Sequence, residues 1–108
     1  MTVGLVGLGI MGSAMSAHLL AGGHTVVGHD VADERAAELV RAGGTAVASA
    51  RAAAERAEVV LTSLPSAAAA LEVCAELAAA GREGLVVAET STLPHDVKDA
   101  CRRLLEDV

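Results

Sequence analysis

Three glycines near the amino terminus have the spacing of a phosphate-binding turn. They follow an apolar stretch, precede a helical pattern and belong to a six-residue segment: Gly7, Leu8, Gly9, Ile10, Met11 and Gly12. In such a turn the first glycine permits the bend, the second lets a diphosphate approach the backbone, and the third lets helix and strand pack closely. The N–H groups and partial positive charge at the start of the helix favour an anion. We therefore predict that all six residues belong to a dinucleotide-binding site, whose diphosphate lies at this turn.

A carboxylate follows at the distance that dinucleotide binding requires. Asp30 lies 18 residues beyond Gly12, at the end of the next β-type run. An acidic residue about 20 positions after the turn accepts hydrogen bonds from the adenosine ribose hydroxyls. Val31 follows it rather than an arginine, so nothing adjacent would pair with a 2′-phosphate, and we expect NAD rather than NADP. The alternative is that Asp30 only caps a turn and that the glycines only make a tight connection; Asp33 is the better-placed helix cap, which would leave Asp30 free for the ribose.

The elements that would position these residues alternate along the chain. Short runs rich in Val or Leu predict strands at residues 3–8, 25–29, 45–47, 59–63 and 85–88. The glycine turn opens a predicted helix at residues 10–20, and alanine-rich stretches predict helices at residues 34–42, 50–56 and 67–80, capped by Asp33, Ser49 and Ser66. Apolar residues at helical spacing predict a last helix at residues 94–108. This alternation predicts an α/β fold, a Rossmann-type doubly wound parallel sheet in three layers, truncated after about five strands.

Composition argues against several classes of partner. The chain has 108 residues, a net charge of −6 and no aromatic residue, which disfavours nucleic-acid binding. No apolar run approaches the roughly 18 residues needed to span a bilayer, and the apolar start lacks the basic segment of a signal peptide. We expect a single cytoplasmic domain with no nucleic-acid or membrane partner.

Cysteines and histidines give no further site. Cys74 and Cys101 make no disulfide framework and are interpreted as small apolar residues on helix faces. The histidines lack the spacing of metal ligands, so we predict no metal; they are His18, His24, His29 and His95.

Residues 4–30 resemble the amino-terminal segment of the β-hydroxyacid dehydrogenases. They match the family pattern GLGxMGxxMxxNLLxxGHxV almost residue for residue. That family includes 3-hydroxyisobutyrate dehydrogenase, tartronate semialdehyde reductase and, more distantly, 6-phosphogluconate dehydrogenase. Leu64-Pro65 is similar to its MLP turn. A later segment is similar to its DxST motif: Glu89, Thr90, Ser91 and Thr92. The resemblance implies that Leu64, Pro65 and Thr92 contact the cofactor towards its nicotinamide end.

Each of these later segments also has an ordinary structural interpretation. Leu64-Pro65 would suit a strand-to-helix connection, and Ser91 and Thr92 would suit helix capping before Pro94. The chain departs from the family pattern at three positions: Glu89 replaces Asp, His18 replaces Asn, and Pro94 comes one residue early.

The resemblance also implies parts that have no counterpart here. They are a substrate-binding glycine motif, a catalytic lysine and an all-helical second domain. Lys98, the sole lysine, falls on the exposed side of the last predicted helix, and we assign no catalytic residue. We expect residues 1–108 to be an incomplete NAD(P)-binding domain, from an NAD-dependent oxidoreductase of small β-hydroxyacids, that does not catalyse turnover by itself. The alternatives are a free-standing nucleotide-binding module and the cofactor domain of an imine or semialdehyde reductase.

The predicted fifth strand raises a question of assembly. Without a sixth strand, residues 85–88 form an apolar edge that invites pairing. We expect the chain either to self-associate or to depend on a missing segment.

Overall fold

The computed structural model describes residues 1–81 and 84–89. Within them, five strands alternate with four helices. The strands are β1 (Thr2–Val6), β2 (Thr25–His29), β3 (Thr45–Ala46), β4 (Val59–Thr62) and β5 (Val86–Glu89). The helices are α1 (Ile10–Ala21), α2 (Asp33–Arg41), α3 (Ala50–Arg56) and α4 (Ala67–Ala79). The predicted helix at residues 94–108 lies outside the described residues.

The strands form one parallel sheet in the order β3-β2-β1-β4-β5. The chain therefore winds outwards from β1 to β3, then crosses to β4 on the other side of β1 and winds outwards again. This order confirms the predicted Rossmann-type doubly wound fold. Ligands of such sheets bind at the carboxyl ends of the strands, where the winding direction changes.

Two apolar cores cover the two faces of the sheet. On one face, Leu5 and Val26 pack with Leu39 of α2, and partly buried residues of α1 join them. On the other face, Val6, Val27 and Val60 pack with α3 and α4. Neighbouring strand residues point to opposite faces because side chains alternate along a strand. The predicted three-layer arrangement is thus confirmed.

The contacts of α3 are made by alanine. Its buried face consists of Ala50, Ala53 and Ala54, and these pack against the sheet without exposed surface. A Cβ added to Gly4 on β1 would lie 3.2 Å from the Cβ of Ala57, just after the helix. Small residues on both sides therefore let α3 lie close to the central strand.

Two predicted boundaries are corrected. β1 ends at Val6 rather than Leu8, because Gly7 takes a φ of +95° and turns the chain out of the sheet. Asp33 does not cap α2: it is the first helical residue, and the capping position is Ala32. The caps Ser49 and Ser66 are confirmed, since their side-chain oxygens accept the N–H groups of residues 52 and 69 at 3.0 and 3.2 Å.

The described residues also bear on the predictions about membrane-spanning helices, metal-ligand clusters and the cysteines. None of the helices in residues 1–81 and 84–89 has the length and apolar character needed to cross a bilayer. In the same ranges, no group of three or more His, Cys, Asp or Glu side chains could hold a metal ion. Cys74 is buried on α4, whereas Cys101 lies outside these ranges. β5 pairs with β4 and exposes Val86, and the expected self-association remains a prediction.

Candidate dinucleotide-binding site

A cavity of about 380 Å³ opens at the carboxyl edge of the sheet. It lies where β1, β2 and β4 end, so the connections after these three strands supply its walls. The predicted site residues that line it are Gly7, Gly9, Asp30, Leu64 and Pro65. Segments far apart in the sequence therefore meet at the edge where an open α/β sheet binds its ligand.

The three glycines of the turn have different surroundings. A Cβ on Gly7 would overlap the carbonyl oxygen of Ser63, and its φ of +95° disfavours any side chain. A Cβ on Gly12 would overlap the carbonyl oxygen of Gly7, so this glycine lets α1 begin directly against the turn. At Gly9 the nearest atom to such a Cβ is Nη1 of Arg35, at 3.3 Å. The surface above Gly9 is therefore bounded by a flexible side chain and accessible to a ligand.

Asp30 holds the glycine turn and the start of α2 together. One carboxylate oxygen, Oδ2, accepts the backbone N–H of Leu8 at 2.7 Å, and the other, Oδ1, accepts that of Ala32 at 2.8 Å. Its side chain is only 7% exposed. The expectation that Asp30 is free for the ribose because Asp33 caps the helix is therefore wrong. A carboxylate has about four acceptor positions, so two backbone bonds leave room for a sugar hydroxyl at the cavity.

The other residues predicted to contact the cofactor fall into separate groups. Leu8 is buried, and its side chain belongs to the core between the sheet and α1 and α2, so its part in the site is its backbone. Ile10 and Met11 are 95% and 56% exposed at the start of α1, and neither is among the side chains that line the cavity. Thr92 lies outside the described residues.

Leu64 and Pro65 continue the cavity wall after β4. Ser66, the next residue, caps α4, so the ordinary interpretation of a strand-to-helix connection is correct for the local structure. The same geometry also directs the two residues to the cavity, because the connection follows a strand that ends at this edge. The two interpretations are therefore compatible.

Three charged residues of the cavity wall were missed from the sequence. Arg35, in the first turn of α2, brings Nη1 to 3.8 Å from Oδ2 of Asp30. Glu72 and Glu76, one helical turn apart on α4, also line the cavity. The signal for Arg35 is its place in the first turn of a crossover helix, which lies at the carboxyl edge of the sheet; Glu72 and Glu76 lie further along α4 and carry no such signal. The expectation that nothing adjacent would pair with a 2′-phosphate considers the sequence neighbours of Asp30; in three dimensions the guanidinium of Arg35 also lies beside its carboxylate.

These residues fit a dinucleotide. The space that a Cβ of Gly9 would enter suits a diphosphate approaching the backbone at the start of α1, and the carboxylate of Asp30 borders the same cavity. The family model for the NAD binding domain of 6-phosphogluconate dehydrogenase matches residues 2–107. The chain belongs to this family. The resemblance to the β-hydroxyacid dehydrogenases is thereby confirmed, and this chain is an NAD(P)-binding domain of the oxidoreductase type found at their amino terminus.

Solved structures agree with this assignment. The Mycobacterium tuberculosis 3-hydroxyisobutyrate dehydrogenase, described with L-serine, is 32% identical over 98% of this chain and 36% of its own, with a TM-score of 0.93. The Streptomyces aurantiacus imine reductase is 31% identical over 98% of this chain and 38% of its own, with a TM-score of 0.86. An imine reductase variant from Myxococcus stipitatus in complex with NAD⁺ is 18% identical over 96% and 38% of the two chains, with a TM-score of 0.84, and supports the fold alone. The chain thus spans little more than a third of these relatives.

Proposed function

We propose that this chain is the cofactor domain of an NAD-dependent oxidoreductase that acts on a small β-hydroxyacid. The observation that carries the proposal is that Gly9 and Asp30, 21 positions apart, border one cavity at the carboxyl edge of the sheet. The backbone at Gly9 would receive the diphosphate and Asp30 the adenosine ribose. The nicotinamide, when bound, supplies hydride transfer, and the protein holds and orients it.

Each wall of the cavity has a part in this proposal. The turn from Gly7 to Gly12 offers backbone N–H groups and the positive end of α1 to the diphosphate. The connection at Leu64 and Pro65 would lie along the cofactor towards its nicotinamide. The family resemblance adds Thr92 near that end. Because Asp30 already bonds the N–H of Leu8, the ribose and diphosphate subsites are joined by one hydrogen bond of 2.7 Å.

Charge around the cavity supports NAD over NADP. Among the described residues that line it, the carboxylates of Asp30, Glu72 and Glu76 outnumber the guanidinium of Arg35. A phosphate monoester adds roughly 1.5 to 2 negative charges at neutral pH. Placing that charge beside the ribose of a cavity with excess carboxylates is unfavourable, whereas the two ribose hydroxyls of NAD can donate to Asp30.

The substrate class comes from the family and its relatives. The 32% identical Mycobacterium tuberculosis enzyme is a 3-hydroxyisobutyrate dehydrogenase described with L-serine, which carries a hydroxyl on its β-carbon. We infer a small β-hydroxyacid for the whole protein. We also propose that residues 1–108 bind the cofactor without turning over substrate, since the matched dehydrogenase is a chain of which this one covers 36%.

A second candidate is the cofactor domain of an imine reductase. The 31% identity to the Streptomyces aurantiacus enzyme favours it, and the two candidates share this domain. The product of the complete reading frame separates them, by assays of NAD⁺-dependent oxidation of 3-hydroxyisobutyrate and L-serine and of NADH-dependent reduction of a cyclic imine. NADH binding without either activity would favour a nucleotide-binding module.

The cofactor proposal is tested by calorimetric titration of the 108-residue chain with NADH and with NADPH. We expect NADH to bind more tightly. Tighter binding of NADPH would overturn the choice of NAD. A sample that is folded by circular dichroism and binds neither dinucleotide would overturn the function itself.

A further inference from the structure

The side chain of Arg35 lies over the glycine turn, although the residue belongs to α2. Its Nη1 is 3.3 Å from the position that a Cβ of Gly9 would occupy and 3.8 Å from Oδ2 of Asp30. The side chain is 54% exposed and lines the cavity. The guanidinium therefore stands between the two groups that a dinucleotide would approach.

The pairing with Asp30 is loose. At 3.8 Å the two groups form an ion pair without a hydrogen bond, because such bonds between guanidinium and carboxylate are about 2.7 to 2.9 Å long. Asp30 already receives two backbone N–H groups at 2.7 and 2.8 Å. Its negative charge is therefore stabilised without Arg35, and the guanidinium is available to a stronger anion.

The position of Arg35 on its helix is unfavourable for stability. The first turn of α2 also contains Asp33 and Glu34, which suit the positive end of a helix dipole, whereas a cation there is repelled. An exposed ion pair of this length contributes little in compensation. Stabilisation of the fold thus explains the position of this arginine poorly, whereas binding of a ligand above Gly9 explains it better.

We propose that Arg35 binds the cofactor diphosphate, and that its guanidinium moves away from Asp30 when it does so. The guanidinium borders the space above Gly9, and a diphosphate that enters this space would draw the guanidinium from Asp30 onto its own oxygens. Asp30 is available to the ribose hydroxyls in either position of Arg35, since its carboxylate has acceptor positions beyond the two backbone N–H groups that it receives. The inference rests on the proposed binding of a dinucleotide and adds a residue and a movement to it.

The test compares fragments of the cofactor by amide NMR titration of the 108-residue chain, using ADP, adenosine and adenosine 2′-monophosphate. We expect Arg35→Gln to weaken ADP binding about tenfold or more, as for the loss of a hydrogen bond to a charged group. Binding of adenosine and of adenosine 2′-monophosphate should stay within about twofold of the wild type. Arg35→Lys, which keeps the charge, should restore part of the ADP affinity.

Arg41→Gln is the matched control. It removes the same charge from the last turn of the same helix, where the side chain is exposed and is not part of the cavity wall. We expect this variant to bind ADP like the wild type, and both glutamine variants to keep the wild-type melting temperature. A melting temperature lowered in Arg35→Gln alone, with unchanged ADP affinity, would assign Arg35 to folding and overturn the proposal.

Three other results would also overturn it. Equal losses for ADP and adenosine would mean that Arg35 acts through the ribose and Asp30. A loss confined to adenosine 2′-monophosphate would assign the guanidinium to a 2′-phosphate. Unchanged binding of all three fragments would remove Arg35 from the site while leaving the cofactor function intact. That function fails separately if the wild-type chain binds neither ADP nor NADH.

Discussion

Replacing Gly9 by alanine should weaken dinucleotide binding while leaving the fold intact. The backbone at Gly9 has φ −68° and ψ −162°, which a residue with a side chain adopts without strain. The nearest atoms to the added Cβ belong to the guanidinium of Arg35, at 3.3 and 3.9 Å, and this flexible side chain can move aside. Alanine also reduces the entropy of the unfolded chain. The free energy of unfolding should therefore stay unchanged or rise by up to about 1 kcal/mol.

The loss of binding follows from where the new methyl group lies. It would enter the cavity above the backbone that the diphosphate must approach. Separating the diphosphate from backbone N–H groups should remove a charge-assisted hydrogen bond, which contributes about 1.5 to 3 kcal/mol. The dissociation constant for NADH should therefore rise by roughly ten- to a hundredfold.

Gly12→Ala is the comparison variant, and we expect it to lower the stability of the fold. Its Cβ would overlap the carbonyl oxygen of Gly7 and lie 3.1 Å from the carbonyl carbon, and neither backbone atom can move independently of the turn. Overpacking of this kind costs about 1 to 3 kcal/mol. For a domain of this size each kcal/mol lowers the melting temperature by about 4 to 8 °C.

The two variants are measured by thermal circular dichroism without ligand and by calorimetric titration with NADH. The expected pattern is a wild-type melting temperature with weak binding for Gly9→Ala, and a lowered melting temperature for Gly12→Ala. The reasoning is refuted if Gly9→Ala melts as low as Gly12→Ala, or if it binds NADH as tightly as the wild type.

Two further predictions concern the carboxylates that line the cavity. Asp30→Ala should weaken NADH binding by roughly 1 to 3 kcal/mol, as measured by calorimetry. It should also lower the melting temperature, because the N–H of Leu8 loses its acceptor. An unchanged NADH affinity in this variant would exclude Asp30 from the site. The double variant Glu72→Gln/Glu76→Gln should raise the affinity for NADPH relative to that for NADH. The control variant Glu55→Gln, at an exposed position on α3, should leave this ratio of affinities unchanged. Equal ratios in the double variant and the control would contradict the electrostatic argument for NAD.

The fold could be predicted from the sequence because its signals are local. Short runs rich in Val or Leu, alanine-rich stretches and the glycines between them indicate the alternation of strands and helices, and parallel strands need such crossovers. The glycine turn is also a local signal, because its glycines lie within six residues and a Cβ on Gly12 would overlap the carbonyl oxygen of Gly7. Caps at Ser49 and Ser66 were correct for the same reason: each bonds a residue three positions ahead.

The errors arose where a partner lies far along the chain. Asp33 has the residue type of a cap for α2, but it is the first helical residue, and the carboxylate of Asp30 accepts the N–H of Ala32 at the capping position. Its other oxygen bonds Leu8, 22 residues away, a contact that only the pairing of β1 with β2 brings about. Spacing in the sequence does not show which backbone N–H groups a carboxylate accepts when one of them lies far along the chain.

Residue types and short spacings by themselves determined that this chain winds strands and helices alternately, and that a bare backbone turn opens its first helix. The tertiary structure alone decided which charges surround that turn. Arg35 reaches the space above Gly9 from the first turn of α2, and Glu72 and Glu76 line the same cavity from further along α4, because the doubly wound sheet brings both helices to this cavity. Charges act through space, so their effect on a ligand depends on this gathering rather than on their order in the chain.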